Sequence, residues 1–337
     1  MDKLKVGVLG ATGIVGRRFI DILSSHPWFN IGGLYASEAS EGASVETPTG
    51  ERFFIKAAEV ENICKEKFDL IFSAVSDQHA GKIENDLTLK GFKIFSNASA
   101  NRLNPNVPLV VPEINMNHLG ILGNREGYVV ANGNCSTIGF VLALHPLMNL
   151  RISDTVLTTF QSVSGSGTPG TPFMEIHGNV IPNIRGEENK IEKESAKIFG
   201  KVKDDIIVPE NFDVSATTTR VPVSVGHLLS ISSRVEDEID IDYVKDFFQK
   251  YGNGRIEGRY PSLPSRSVVY MDDEYSPQPS RDSESKNYVD EMQVKVGRLR
   301  LSGKRINFVA LVNNLTRGAA GASLLNAEIT LKEEGLI

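Results

Sequence analysis

Over roughly the first 150 residues, short apolar runs alternate with segments of helical periodicity. Leu4 to Leu9 reads as a buried strand, and Gly10-Ala11-Thr12-Gly13-Ile14-Val15-Gly16 turns it into the apolar-periodic stretch Val15 to Leu23. Further strands are expected at Ile31–Ala36, Phe68–Val75, Lys93–Phe95 and Tyr128–Ala131, with helices across His79–Leu89 and Ile138–Met148. This alternation predicts a doubly wound parallel sheet, in which ligands sit at the C-terminal ends of the strands. Beyond it the pattern changes. Strands are expected at Val156–Phe160, Thr218–His227, Gln293–Leu301 and Asn307–Val312, a charged helix ends at Gly200, and Ser262–Lys286, rich in Ser, Pro, Asp and Arg, reads as a long loop. A terminal helix opens at Asn313–Gly321 and runs through Leu331. A chain of 337 residues with this shift in pattern is expected to form two domains.

The first glycine turn is the first candidate for chemistry. Glycines between a strand and a helix let backbone approach a pyrophosphate while the helix N-terminus faces its charge. Gly10, Thr12, Gly13, Ile14 and Val15 are the candidate contacts of a dinucleotide, although structural strand-helix turns share this composition. At the end of the second strand, Ser37 and Ser40 suit the extra phosphate of NADP, whereas Glu38 and Glu41 suit the ribose of NAD. Arg17 or Arg18 would have to offset those acids. Ser76 and Arg102 also follow strand ends, and an arginine fork there matches a phosphate or a carboxylate.

Asn132-Gly133-Asn134-Cys135-Ser136-Thr137 is the second such turn. It places Cys135 at or near a helix N-terminus, where unpaired N–H groups and the helix dipole favour a thiolate. Backbone amides of this turn are expected to stabilise an oxyanion. The plainer reading of Cys135 is a small buried hydrophobe. Downstream, Ser164 and Gly165 lie in a small-residue loop able to rest against a flat ring. Arg220 and His227 are seven residues apart, hence on opposite faces of a regular strand. Both reach one pocket only if Pro222 or Gly226 breaks it.

Composition narrows the partners. A net charge of −6 without a Lys/Arg-rich run argues against nucleic acid. Two cysteines, Cys64 and Cys135, form neither a disulfide framework nor a zinc spacing, so no metal is expected and a reducing compartment is. No leader and no membrane-spanning apolar stretch are present, so a cytoplasmic protein is expected.

In register, Gly10–Gly16, Ser99–Arg102, Val110–Asn115 and Asn132–Ile138 make the chain resemble the aspartate-β-semialdehyde dehydrogenase family, closest to its archaeal and fungal branch. The resemblance implies a Rossmann-type nucleotide domain (1–134 with 313–337) and an α+β catalytic and dimerisation domain (135–312), as in glyceraldehyde-3-phosphate dehydrogenase. The implied reaction is NADP-dependent reductive dephosphorylation of β-aspartyl phosphate, with NAD left open as cofactor. By resemblance, Cys135 is the nucleophile and His227 the acid/base. Arg102, Asn134 and Lys190 meet the phosphate, and Gln161, Glu187 and Arg220 hold the amino-acid end. Asn314 lies beside the nicotinamide, and the assembly is a homodimer or homotetramer. Glu187 and Lys190, three apart, are equally a common surface pair on a helix. His227 is followed by Leu228-Leu229-Ser230 where the archaeal pattern has Thr-Glu. Malonyl-CoA reductase, which uses the same cysteine, is therefore the alternative enzyme, and a non-catalytic nucleotide-binding regulator the alternative of another class.

Overall fold

In a computed structural model describing residues 2–167 and 170–337, the apolar runs of the N-terminal half become the strands of one sheet. They are β1 (Leu4–Leu9), β2 (Phe29–Ala36), β3 (Ser44–Glu46), β4 (Arg52–Ala57), β5 (Leu70–Ser73), β6 (Lys93–Ser96) and β7 (Tyr128–Ala131). Their order is β3-β4-β2-β1-β5-β6-β7, all parallel except the β3–β4 pair. The order reverses about β1, so the C-terminal ends of β1, β2 and β5 open onto a crevice. The helices of this half are α1 (Ile14–Leu23), α2 (Val60–Cys64), α3 (Asp77–Thr88) and the single turn α4 (Pro112–Asn115).

The all-apolar face count of α5 (Cys135–Leu144) explains where it goes. A helix that is hydrophobic all round must be buried, and every residue from Ser136 to Leu144 is. It packs on a second sheet, six strands in the order β11-β8-β12-β15-β14-β13. These are β8 (Ile152–Gln161), β11 (Val214–Arg220), β12 (His227–Val235), β13 (Val268–Met271), β14 (Val294–Ser302) and β15 (Arg305–Val312); β9 (Lys201–Lys203) and β10 (Ile206–Val208) form a separate hairpin. Gly139 lets α5 settle on β15, where an alanine methyl would stand 2.6 Å from Val312 Cγ1. The remaining helices are α6 (Phe173–Ile176), α7 (Glu187–Ile198), α8 (Ile241–Lys250), α9 (Pro279–Asp282) and α10 (Gly321–Glu333). Leu324, Leu325 and Ile329 of α10 share a core with Val6, Phe19 and Phe72 of the first sheet. No described helix is long and apolar enough to cross a membrane.

Three expectations are corrected here. Thr218–His227 is not one strand: β11 ends at Arg220 and β12 begins at His227. β8 lies between them, parallel to β11 and antiparallel to β12, and Gly226 (φ +98°) makes the break. The expected loop at Ser262–Lys286 contains the edge strand β13 and the turn α9. The terminal helix does not start as an α-helix, because Thr316–Ala320 forms a π-helical turn ahead of α10.

Candidate active site

A cleft of about 1810 Å³ runs from the ends of β1, β2 and β5 to the N-terminus of α5. At its nucleotide end the glycine turn has the shape the sequence required. Gly10 takes φ +77°, and an alanine methyl there would stand 2.4 Å from Ala74 O; one at Gly16 would stand 2.0 Å from Gly10 O. Gly13, by contrast, meets only Gly10 O at 3.4 Å, so its backbone lies open for a phosphate. Thr12, Ile14, Val15, Ser37 and Ser76 line the same end, a set that fits a dinucleotide. Ser40, the last residue of the 3₁₀ turn Glu38–Ser40, is not on this wall. Nor do the two arginines expected to offset Glu38 lie there: Arg17 is exposed, while Arg18 is committed to Glu291 and to Thr316 Oγ1. Lys82 of α3 and Lys90, two residues beyond its end, are cations on this lining that sequence reasoning missed.

At the other end Cys135, half-buried, is the first residue of α5. Asn134 caps that helix: its Oδ1 accepts from Ser136 N at 2.9 Å and Thr137 N at 3.2 Å. Its Nδ2 donates to Glu187 Oε1 at 2.6 Å, and its backbone N–H to Glu194 Oε2 at 2.6 Å. The amides of residues 134, 136 and 137 are thus engaged within the turn and its α7 neighbour. Gly318 of the π-helical turn lies against Cys135, since a methyl there would stand 2.5 Å from its Cβ.

Around this thiol stand Arg102, Arg220 and Glu187, and Lys190 lies on the same cleft wall. Arg102 donates to Glu194 Oε1 at 3.0 Å and Asn97 O at 2.6 Å; burial opposes its charge, but Glu194 outweighs burial and raises its pKa. Arg220 Nη1 donates to Ser162 O at 2.7 Å, and burial lowers its pKa. Glu187 and Lys190 are not a surface pair: Glu187 is buried on Asn134, and Lys190 Nζ points to Asp77 at 3.9 Å. Burial pushes Asp77 up, but its bonds from Ser99 together with the charges of Lys190 and Arg102 hold it below the usual carboxylate range.

Burial pushes Cys135 up to about 12, Glu187 adds to it, and Arg102, Arg220 and the Ser136 amide only partly oppose. Desolvation of a charge at this position exceeds what the two guanidiniums and the Ser136 amide return.

His227 and Gln161 do not line the cleft. Gln161 is buried on β8 and donates to Thr159 Oγ1 at 3.2 Å, two residues back on the same strand face. His227 begins an inward-facing alternation on β12 and is fully buried behind Gly165, with Nε2 unpartnered. Burial, then Arg220, pull it down to about 3, so the ring is neutral at pH 7. Its Nδ1 lies 3.1 Å from the Ser162 N–H donor, which assigns the ring proton to Nε2. Gly165 is the thin partition: an alanine methyl there would stand 2.9 Å from both His227 Nε2 and Arg220 Nη1. Gly165→Ala is therefore expected to lower kcat/KM about 10²-fold by displacing both groups. Steady-state kinetics alongside a melting curve measure it, and unimpaired turnover would refute the arrangement. Ser164 and Asn314 do line the cleft. Asn314 is a hub, accepting from Gly226 N at 2.9 Å and Ser162 Oγ at 3.1 Å and donating to Ser164 Oγ at 3.0 Å.

A family model described as the semialdehyde dehydrogenase NAD binding domain matches residues 5–121, and one described as the semialdehyde dehydrogenase dimerisation domain matches residues 144–317. The aspartate-semialdehyde dehydrogenase of Archaeoglobus fulgidus is 38% identical over 98% of this chain and 99% of its own. That of Cryptococcus neoformans is 37% identical over 99% and 98%. The crystal structure of aspartate semialdehyde dehydrogenase with NADP from Candida albicans superposes with a TM-score of 0.86 at 34% identity, covering 99% of this chain and 100% of that one. A two-domain α/β chain with a Rossmann-like sheet, a dimerisation domain and relatives of this closeness in both archaea and fungi belongs to the aspartate-semialdehyde dehydrogenase family.

Proposed function

We propose that the chain is an NADP-dependent aspartate-semialdehyde dehydrogenase, reducing β-aspartyl phosphate to aspartate β-semialdehyde with release of phosphate. The observation that carries this reading is the placing of two guanidiniums and a carboxylate around one thiol, with an ammonium on the same cleft wall, at the end of a cleft that begins at a glycine turn. Each charge has a counterpart on the substrate. Arg220 takes the α-carboxylate, Glu187 the amino group, and Arg102 and Lys190 the phosphate.

Because burial and then Glu187 hold the Cys135 thiol well above its ordinary range, its proton has to leave as the sulfur attacks. Sγ bonds to the acyl carbon, the carbon–oxygen bond to phosphate breaks, and the thiol proton departs on the phosphate. A thioester and hydrogen phosphate result, and the hard reduction is divided into two easier steps. NADP, bound in the family relative from Candida albicans, supplies the hydride chemistry. His227, whose unpartnered Nε2–H lies behind Gly165 rather than on the cleft wall, then acts as proton donor to the substrate oxygen on which charge develops once the Gly165 backbone draws aside. Gly10, Thr12, Gly13, Ile14 and Val15 cradle the pyrophosphate, with Ser37 at the ribose phosphate. Ser76, Ser164, Gly165 and Asn314 complete the cofactor wall.

Residues 1–134 with 313–337 form the nucleotide domain, supported by the core that α10 shares with β1. Residues 135–312 form the catalytic domain. Val156 and Phe160 leave an apolar stripe exposed on β8, which favours a homodimer through this sheet; a monomer mass in light scattering would remove that assignment. The two free cysteines favour a cytoplasmic location, which cell fractionation checks.

Initial rates test the function. Aspartate semialdehyde, phosphate and NADP+ are expected to give NADPH absorbance, with NAD+ slower and malonyl-CoA with NADPH inert. Turnover of malonyl-CoA alone would transfer the chain to the CoA-thioester reductases, and absence of turnover with either donor would leave a nucleotide-binding regulator.

A further inference from the structure

The buried stripe of α7 is charged where an amphipathic helix is ordinarily apolar. Glu187, Ile191, Glu194 and Ile198 share one face, and Glu194 and Lys197 are 1% and 2% exposed. Buried charges persist only when paired and hydrogen-bonded, and these are. Lys197 spends its ammonium on three backbone carbonyls, Arg102 O and Asn104 O at 2.6 Å and Val107 O at 2.7 Å. Burial pulls it down to about 8, which still leaves it protonated at pH 7. Glu194 divides its two oxygens: Oε1 accepts from the Arg102 guanidinium at 3.0 Å, and Oε2 from the backbone N–H of Asn134, the residue before Cys135, at 2.6 Å.

Arg102 is thereby held at its carbonyl and at its guanidinium by the same helix. The grip leaves Arg102 Nε buried without a partner, and Asn97 Nδ2 is in the same condition; both residues line the cleft. Two unpartnered donors at one corner suit an anion with several acceptor oxygens. We propose that Glu194 is a positioning residue that ties the phosphate-binding guanidinium of Arg102 to the turn carrying the nucleophile, so that leaving-group site and attacking sulfur keep one fixed separation. The proposal rests on the dehydrogenase reading given above. A carboxylate is required because both partners are donors: a glutamine must present its NH₂ to one of them.

The test is a double-mutant cycle on the KM for inorganic phosphate, assayed with aspartate semialdehyde and NADP+. Glu194→Gln is expected to raise this KM about tenfold, the size of one charge-assisted hydrogen bond lost. In an Arg102→Ala background the same substitution is expected to add less than about twofold, since the group it acts through is gone. An equal increase in both backgrounds, or a fall in kcat with the phosphate KM unmoved, overturns the proposal and reduces Glu194 to general support of the fold. Should Glu194→Gln not fold, Glu194→Asp, which keeps two acceptors but lacks the reach, runs the same cycle. Wild-type turnover is the control: its absence refutes the dehydrogenase reading, whereas turnover with an unmoved KM in Glu194→Gln refutes only this inference.

Discussion

Cys135→Ala is expected to abolish turnover of aspartate semialdehyde, phosphate and NADP+, with a fall of at least about 10⁴-fold in kcat. No other thiol is near, since Cys64 is exposed at the end of α2. The wild-type thiol has a second, more particular signature. With its pKa pushed up to about 12 by burial and then Glu187, little of it is ionised at pH 7 in the substrate-free protein. Alkylation by iodoacetamide is therefore expected to be slow at pH 7 and to climb about tenfold per pH unit to beyond pH 9, because only the thiolate reacts. Glu187→Gln removes a charge that opposes ionisation, so it should speed alkylation at pH 8 even as it weakens substrate binding. A plateau in the alkylation rate below pH 8 would contradict the buried thiol. Full turnover by Cys135→Ala would remove Cys135 from the mechanism.

What could be read from the sequence was local. The strand-turn-helix units at Leu4–Leu23 and Tyr128–Leu144 write their own geometry into neighbouring residues, because glycine conformation, capping side chains and apolar period act over a few positions. The break between β11 and β12 was hidden for the opposite reason. Both flanks are extended, and what separates them is β8, some 60 residues earlier, inserted between the two. The state of the thiol was hidden likewise: the helix dipole is local, but the burial and the Glu187 carboxylate that overrule it come from a helix 52 residues on. Glu194 did leave a trace. Glu187, Ile191, Glu194 and Ile198 fall at the spacing of a buried stripe, and acids within such a stripe signal fixed partners. Nothing local identifies those partners as Arg102 and Asn134.

Arg317→Met is expected to destabilise the protein by about 3–5 kcal/mol, the cost of leaving one member of a buried ion pair without the other. Arg317 and Glu113 are both fully buried, with Nη2 and Oε2 2.7 Å apart. Glu113 Oε1 also accepts from Ser267 Oγ at 2.7 Å, so the pair ties the π-helical turn, α4 and the strand entering β13 at one point. A methionine restores most of the volume but leaves the Glu113 carboxylate in a low-dielectric interior, where it must either stay charged and unpaired or take up a proton. The melting midpoint is expected to fall by about 5–10 °C. The double variant Arg317→Met/Glu113→Gln should recover most of that loss, since the stranded charge is gone and a glutamine still accepts from Ser267. A double variant no more stable than the single would show that packing of the guanidinium, rather than its charge, holds the turn. The same turn places Gly318 against Cys135, so Arg317→Met should also lower kcat at temperatures well below its melting point. The recovery of kcat in the double variant should follow the recovery of stability if the ion pair is what keeps that backbone against the sulfur.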